Sequence, residues 1–222
     1  MTATSPRAAR WERRKESRPA ELLAAALELF VERGYAATRL DEVAGRAGVS
    51  KGTLYLYFDS KEELFKAVVR ETIVPLIDAY RRDVEGSGEP SAVLLERFFR
   101  DWWGRFGATR LAGIAKLIIA EAGNFPEVAR FFHHEVIEPN GAVLAAIIER
   151  GVARGEFAPV DVRTAVHLWM APLVLKAIWA HSLDSLCPAE SRVEPEEFLV
   201  AHTRLVMASL RHDAAAQRPA RC

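Results

Sequence analysis

The sequence predicts an all-α protein: a small N-terminal three-helix unit followed by a larger helical domain. Three observations carry the helical part of that expectation. Apolar residues recur at three- and four-residue intervals in one segment after another. Ser and Pro stand where helices would start, and Gly where they would stop. No stretch alternates apolar and polar residues or places a hairpin dipeptide between apolar runs. The 222 residues are 50% hydrophobic and 27% charged. That suits one or two domains with a real core and excludes a disordered chain, a collagen or a small disulfide scaffold.

Residues 1–18 read as a flexible basic arm. Arg7, Arg10, Arg13, Arg14, Lys15 and Arg18 stand against Glu12 and Glu16, and Trp11 is the one large apolar group. The arm is either a solvated leader or a reach toward DNA phosphates. Pro19 suits the first turn of a helix, where its missing N–H costs nothing. Behind it Leu22, Leu23, Ala26, Leu27, Phe30 and Val31 form one face, and Gly34 closes the run. Thr38 precedes Asp41 by three residues, a capping-box spacing. Leu40, Val43, Ala44 and Ala47 form the buried side of a short second helix that stops at Gly48. Ser50 suits the N-cap of a third helix, from Lys51 to about Tyr57, with Leu54 and Phe58 inward. Ser60 and Glu63 open a longer helix through Ile73, which Pro75 is expected to kink. Beyond Gly86-Ser87-Gly88, helices are expected over 90–106, 109–121, 126–149 with a kink at Pro139, 162–181 and 195–211, with a loop over 182–194. The resulting units are an arm 1–18, a three-helix domain 19–65, a larger helical domain 66–212, and a disordered tail 213–222.

Thirty basic and thirty acidic residues cancel, so no global charge argues for a polyanion partner, although a local face still can. Cys187 and Cys222 sit in no CxxC pair and read as reduced thiols. The N-terminus lacks the apolar stretch of a secretory signal. No run approaches the length of a membrane helix. A cytoplasmic protein without a membrane partner is expected.

The Gly48-Val49-Ser50 turn between two short helices is the signature that carries function. A helix fits the major groove, and a sharp turn lets its neighbour brace it across the backbone. Gly52 costs the third helix about 1 kcal/mol, which a surface approaching a phosphate backbone would justify better than a core would. Lys51 and Lys61 can neutralise phosphates. Thr53 can donate to a phosphate or touch a thymine methyl, and Tyr55 and Tyr57 can offer hydroxyls or act as wedges. Thr38 and Arg39 stand at a helix start, where free N–H groups suit a phosphate.

The stretch GYAATRLDEVAGRAGVSKGTLYLYFDSKEELFKAVV, residues 34–69, with ELLAAALELFVERGY as its first helix, resembles the DNA-binding domain of the TetR family of bacterial transcriptional regulators. The resemblance implies a homodimeric helical regulator, usually a repressor, that binds a palindromic operator and releases it when a small molecule enters the second domain. It implies that Lys51, Gly52, Thr53, Tyr55, Tyr57 and Lys61 face double-stranded DNA, with Thr38 and Arg39 near phosphates. Leu56 lies within that surface, either on a base methyl or in packing. Residues 120–139, AEAGNFPEVARFFHHEVIEP, resemble the effector domain of the AefR-like branch.

In the second domain, Phe98, Phe99, Trp102, Trp103, Phe106, Phe131 and Phe132 either line a mostly apolar effector cavity or form a solid core. Lys116, Glu121, His134 and His167 are candidate polar contacts in such a cavity. His133 and His134 would diverge on an α-helix, so no metal and no cofactor is expected. The resemblance also implies that the last two long helices pair with their symmetry mates, through Val162, Val166, Trp169 and Leu173 on one and Leu199, Thr203, Val206, Met207 and Leu210 on the other; the alternative is that both faces are buried within one subunit. An enzyme would need a nucleophile elbow, phosphate loop or zinc signature, and none is found. Two alternatives stay open: a constitutive DNA-binding regulator without a ligand, and a helical interaction protein.

Overall fold

The computed structural model describes the backbone of residues 6–211 apart from 185, 189 and 191, and side chains from Arg18 onward. Eleven α-helices and two π-helical turns are described, and no strand is found among the described residues. Helix α1 (Pro6–Ala37) passes through Pro19 instead of starting there, so most of the arm expected to be flexible has a helical backbone. Its regular part ends at Gly34, whose φ of 84° and ψ of 172° break the helix. The tail 213–222 lies outside the described residues.

Helices α2 (Leu40–Arg46) and α3 (Lys51–Tyr55) are short, as the Gly and Ser positions predict. Gly48 turns the chain between them at φ 67°, a conformation that glycine adopts without Cβ strain. Ser50 Oγ accepts from Thr53 N at 3.1 Å, and Ser60 Oγ accepts from Glu63 N at 3.1 Å at the start of α4 (Lys61–Thr72). Both satisfy an otherwise orphaned helix-start donor. Leu22, Phe30, Val43, Leu54 and Phe65 are buried together, with Phe30 and Phe65 edge to face at 5.4 Å. This core joins α1 to α4.

Pro75 begins a separate helix, α5 (Val74–Gly86), where Pro is tolerated in the first turn. Helix α6 (Ser91–Trp102) runs into a π turn over Trp103–Gly107. Gly107 is needed there, because a Cβ would meet Trp103 Cε3 at 2.8 Å and Trp102 Cζ3 at 3.0 Å. Helix α7 (Ala112–Glu121) lies along α1. The segment expected as one kinked helix is three pieces: α8 (Pro126–Phe132), a π turn over His133–Ile137, and α9 (Glu138–Ala153). Helices α10 (Val162–Ala180) and α11 (Pro195–Ser209) complete the second domain. In this domain α9 packs on α5, α6 and α10, while α11 packs on α6 and α10.

Candidate nucleic-acid interface and effector cavity

Leu54, pointing inward, anchors α3 to the three-helix core, which turns the rest of the helix outward. Lys51, Gly52, Tyr55 and Leu56 are all exposed. Leu56 is 82% exposed. Lys51 Nζ stands 5.9 Å from the Tyr55 ring centre. The Thr53 hydroxyl lies 2.9 Å from Ser50 Oγ, so it joins the cap as well as the surface. Tyr57 is half-buried. Around Gly52 the space is open: an added Cβ would meet only Ser50 Oγ, at 3.9 Å.

Two residues expected to face phosphates are turned inward. Thr38 is 1% exposed, and its hydroxyl donates to Gly34 O at 2.7 Å, with Leu29 O a second acceptor within reach at 3.2 Å. It satisfies the carbonyls left open where α1 ends, and α2 starts from Arg39 without a side-chain cap bond. Lys61 Nζ donates to Tyr35 O at 2.7 Å and to Ala36 O at 3.0 Å, over the Tyr35 ring at 4.6 Å. Burial lowers the pKa of this ammonium, and the Glu121 carboxylate works against that lowering. Arg39 stays exposed, with Nε 3.3 Å from Asp41 Oδ1.

A cavity of about 1100 Å³ opens in the second domain, slightly above the usual range for small-molecule sites. Its buried wall includes Ile77, Tyr80, Trp102, Phe106, Ile118 and Phe132. Its histidine and charged side chains, His133, Glu138, Glu149, Arg163 and His167, are exposed and so belong to its rim, while the buried Tyr80 hydroxyl stands in the wall without a hydrogen-bond partner. Of the eleven residues named for such a cavity, Trp102, Phe106, Phe132 and His167 line it. The other seven are spent elsewhere. Phe98 packs on Tyr80 and Phe99, and Phe99 also meets the His202 ring. Trp103 covers Gly107. Phe131 lies under Lys66 and Arg70. Lys116 donates to His181 O, Glu121 bonds the α1–α2 link, and His134 Nδ1 is 2.9 Å from Glu138 Oε2. His133 and His134 do not diverge as an α-helix would require. The π turn brings their ring nitrogens and Glu138 within 4.8 Å of one another on the surface.

The apolar faces expected to form a dimer interface are mostly used inside the chain. Trp169, Leu173, Val206 and Leu210 are buried, while Val162 and Val166 line the cavity. Leu199, Thr203 and Met207 are half-buried. The opposite side of the same helices is the open one: Leu168 is 64%, Leu175 59% and Leu205 72% exposed, joined by Trp179 and Val200. Among the described residues no helix is long and apolar enough to cross a membrane.

Residues 22–68 match the profile described as bacterial regulatory proteins, tetR family, and residues 94–185 match a tetracyclin repressor-like C-terminal domain. The second match does not single out the AefR-like branch. The HTH-type transcriptional activator FasR of Mycolicibacterium smegmatis is 47% identical over 68 residues, 31% of this chain and 31% of FasR. The chain thus spans about a third of that relative. The HTH-type transcriptional regulator YhgD of Bacillus subtilis is 31% identical over 144 residues, 63% of this chain and 72% of YhgD. Among solved structures, FadR from Bacillus subtilis, in complex with stearoyl-CoA, superposes with a TM-score of 0.70 at 18% identity, covering 86% of this chain and 99% of FadR. With both domains matched and the α3 surface in place, the chain belongs to the TetR family of DNA-binding transcriptional regulators.

Proposed function

We propose that the protein is a homodimeric repressor that binds a palindromic operator and releases it when a mostly apolar small molecule fills the second-domain cavity. The observation that carries this reading is the exposed α3 surface of Lys51, Gly52, Tyr55 and Leu56, standing on the buried anchor Leu54. Lys51, Arg39 and the Tyr55 hydroxyl take phosphates. Thr53, Leu56 and Tyr57 stand where base edges would lie. Gly52 lets the backbone come close. Thr38 and Lys61 act indirectly, by holding the link that positions α2 and α3. Residues 19–65 form the reading head and 66–212 the effector and dimerisation domain.

One head contacts only a few base pairs, so operator recognition calls for a pair, with two heads ~34 Å apart along the duplex. The exposed side of α10 and α11, with Leu168, Leu175 and Leu205, supplies a self-complementary apolar face for such a pair. An apolar wall with charges confined to the rim supports an amphiphilic effector. That FadR holds stearoyl-CoA makes a long acyl chain the first class to try. Placement in the AefR-like branch rests on residues 120–139 alone. The protein would act in the cytoplasm, where its DNA is.

The test is protected-DNA sequencing with the purified full-length protein, repeated with a small-molecule panel that includes stearoyl-CoA. The expected result is an inverted-repeat footprint that at least one apolar compound abolishes. A footprint that no compound shifts would leave the constitutive regulator standing, and no footprint at all would refute the DNA-binding assignment of α3.

A further inference from the structure

The Glu121 carboxylate stands at the C-terminal end of α7, where the open carbonyls of a helix disfavour negative charge. It is held there by the other domain. Its Oε1 accepts from Tyr35 N at 2.7 Å and from Ala36 N at 3.1 Å, and its Oε2 accepts from Ala36 N at 3.0 Å. Lys61 Nζ takes the carbonyls of the same two residues. The link between α1 and α2 is therefore gripped by an anion on its N–H groups and a cation on its C=O groups, bonds stronger than neutral ones. Gly34 permits the approach: at φ 84°, an added Cβ would sit 2.7 Å from Glu121 Oε1.

The rest of α7 is equally close to α1. A Cβ on Gly113 would lie 2.6 Å from Val31 Cγ1, and Arg110, just before α7, reaches Glu28 at 3.2 Å. From the same helix, Ala115, Ile118 and Ile119 line the cavity. One ten-residue helix thus touches the ligand space and the reading head at once.

We propose that Glu121 is a positioning residue for operator recognition, fixing the link from which the helix-turn-helix unit leaves α1, and that α7 transmits the state of the cavity to the head through this carboxylate. The proposal rests on the DNA-binding reading above. Transmission of this kind is reciprocal, so DNA on the head must be felt in α7.

The test uses full-length Glu121→Ala and the near-isosteric Glu121→Gln. Amide hydrogen exchange at Tyr35 and Ala36 in the free protein should be at least roughly tenfold faster in Glu121→Ala and intermediate in Glu121→Gln, since each lost bond opens an amide to solvent. Affinity for an operator selected by the wild type should fall by at least about tenfold, while affinity for a scrambled duplex stays within about twofold, because the phosphate-facing cations remain. Operator binding should slow exchange across residues 118–121 in the wild type but not in Glu121→Ala. Equal losses on both duplexes would assign Glu121 to folding alone and overturn the proposal. So would wild-type protection at Tyr35 and Ala36 in Glu121→Ala, or a wild-type α7 indifferent to DNA. A wild type with no preference for any duplex refutes the DNA-binding reading, while exchange in the free protein still decides whether the carboxylate holds the link.

Discussion

The reading head and the cavity-bearing domain are both built from short amphipathic helices, yet they carry their information differently. In the head, the features that matter are set within a few residues of one another: Ser50 caps α3 through Thr53, Gly48 makes the turn, and Leu54 decides which side of α3 faces out. In the second domain, α10 is apolar nearly all round. Which side it buries is decided by the π turn over Trp103–Gly107 and by α7, α9 and α11, distant elements of the chain. Local chemistry names a surface in the first case. In the second it names only a helix.

The comparison can be broken most severely at the open face of α10 and α11. Leu168→Glu combined with Leu205→Glu places charges on the proposed symmetric contact but on no buried wall. Sedimentation should show monomers, and operator affinity should fall by roughly 10²–10⁴, the gain that linking two sites provides. A dimer that survives both charges would place the interface elsewhere.

Two glycine substitutions sharpen the contrast. In Gly151→Ala the new Cβ would lie 2.1 Å from Phe157 Cδ2, a ring buried in the core. A cost of about 1–3 kcal/mol is expected from such overpacking, seen as a Tm several degrees lower by calorimetry. Gly52→Ala should do the reverse. Its Cβ meets open space, so helix propensity should raise stability by about 0.5–1 kcal/mol, while operator affinity drops in a binding titration because the backbone can no longer come close. Stability and affinity moving together at position 52 would deny that the glycine serves DNA.

Lys51→Ala should weaken binding to all duplexes alike and reduce the slope of log affinity against log salt by about 1. An unchanged slope would remove Lys51 from the phosphate contacts.

The smallest expected effect lies in α11. His202 is buried between Phe99 and Phe198, with Nε2 2.8 Å from Trp169 O and Nδ1 without a hydrogen-bond partner. Burial lowers its pKa below 6.5, with the Trp169 carbonyl working against that. The folded state therefore binds fewer protons than the unfolded one. This contribution is complete above the unfolded pKa of about 6.5 and declines as pH falls below it. The Tm gap between wild type and His202→Gln should narrow from pH 8 to pH 5. A gap independent of pH would mean that this imidazole does not titrate with unfolding.

Most of the helices and both functional caps, Ser50 and Ser60, were legible in the sequence, because capping and turn chemistry act over three or four residues. So was the exposed α3 surface, which follows from the inward spacing of Leu54 and Phe58. Thr38 and Lys61 are ambiguous from sequence, since a hydroxyl or ammonium near a helix start serves a phosphate and a bare backbone carbonyl equally well. The bonds of Thr38 to Gly34 O and of Lys61 to Tyr35 O exist only because α1 breaks at Gly34. Val162 and Val166, expected at the interface, line the cavity; apolarity alone does not distinguish a wall from a contact between chains. The link across 86 positions from Tyr35 to Glu121 left no local trace, although a carboxylate at the end of an apolar helix is the kind of misfit that marks a distant partner.

The central claim is that α3 reads bases and that a symmetric pair of them reads an operator. It is tested most directly by selecting duplexes from a randomised library with the wild type and with Leu56→Ala. The account predicts an inverted repeat for the wild type, and for the variant a changed base preference at one matched position in each half-site. An enriched sequence without two-fold symmetry, or identical base preferences in the two proteins, would contradict it.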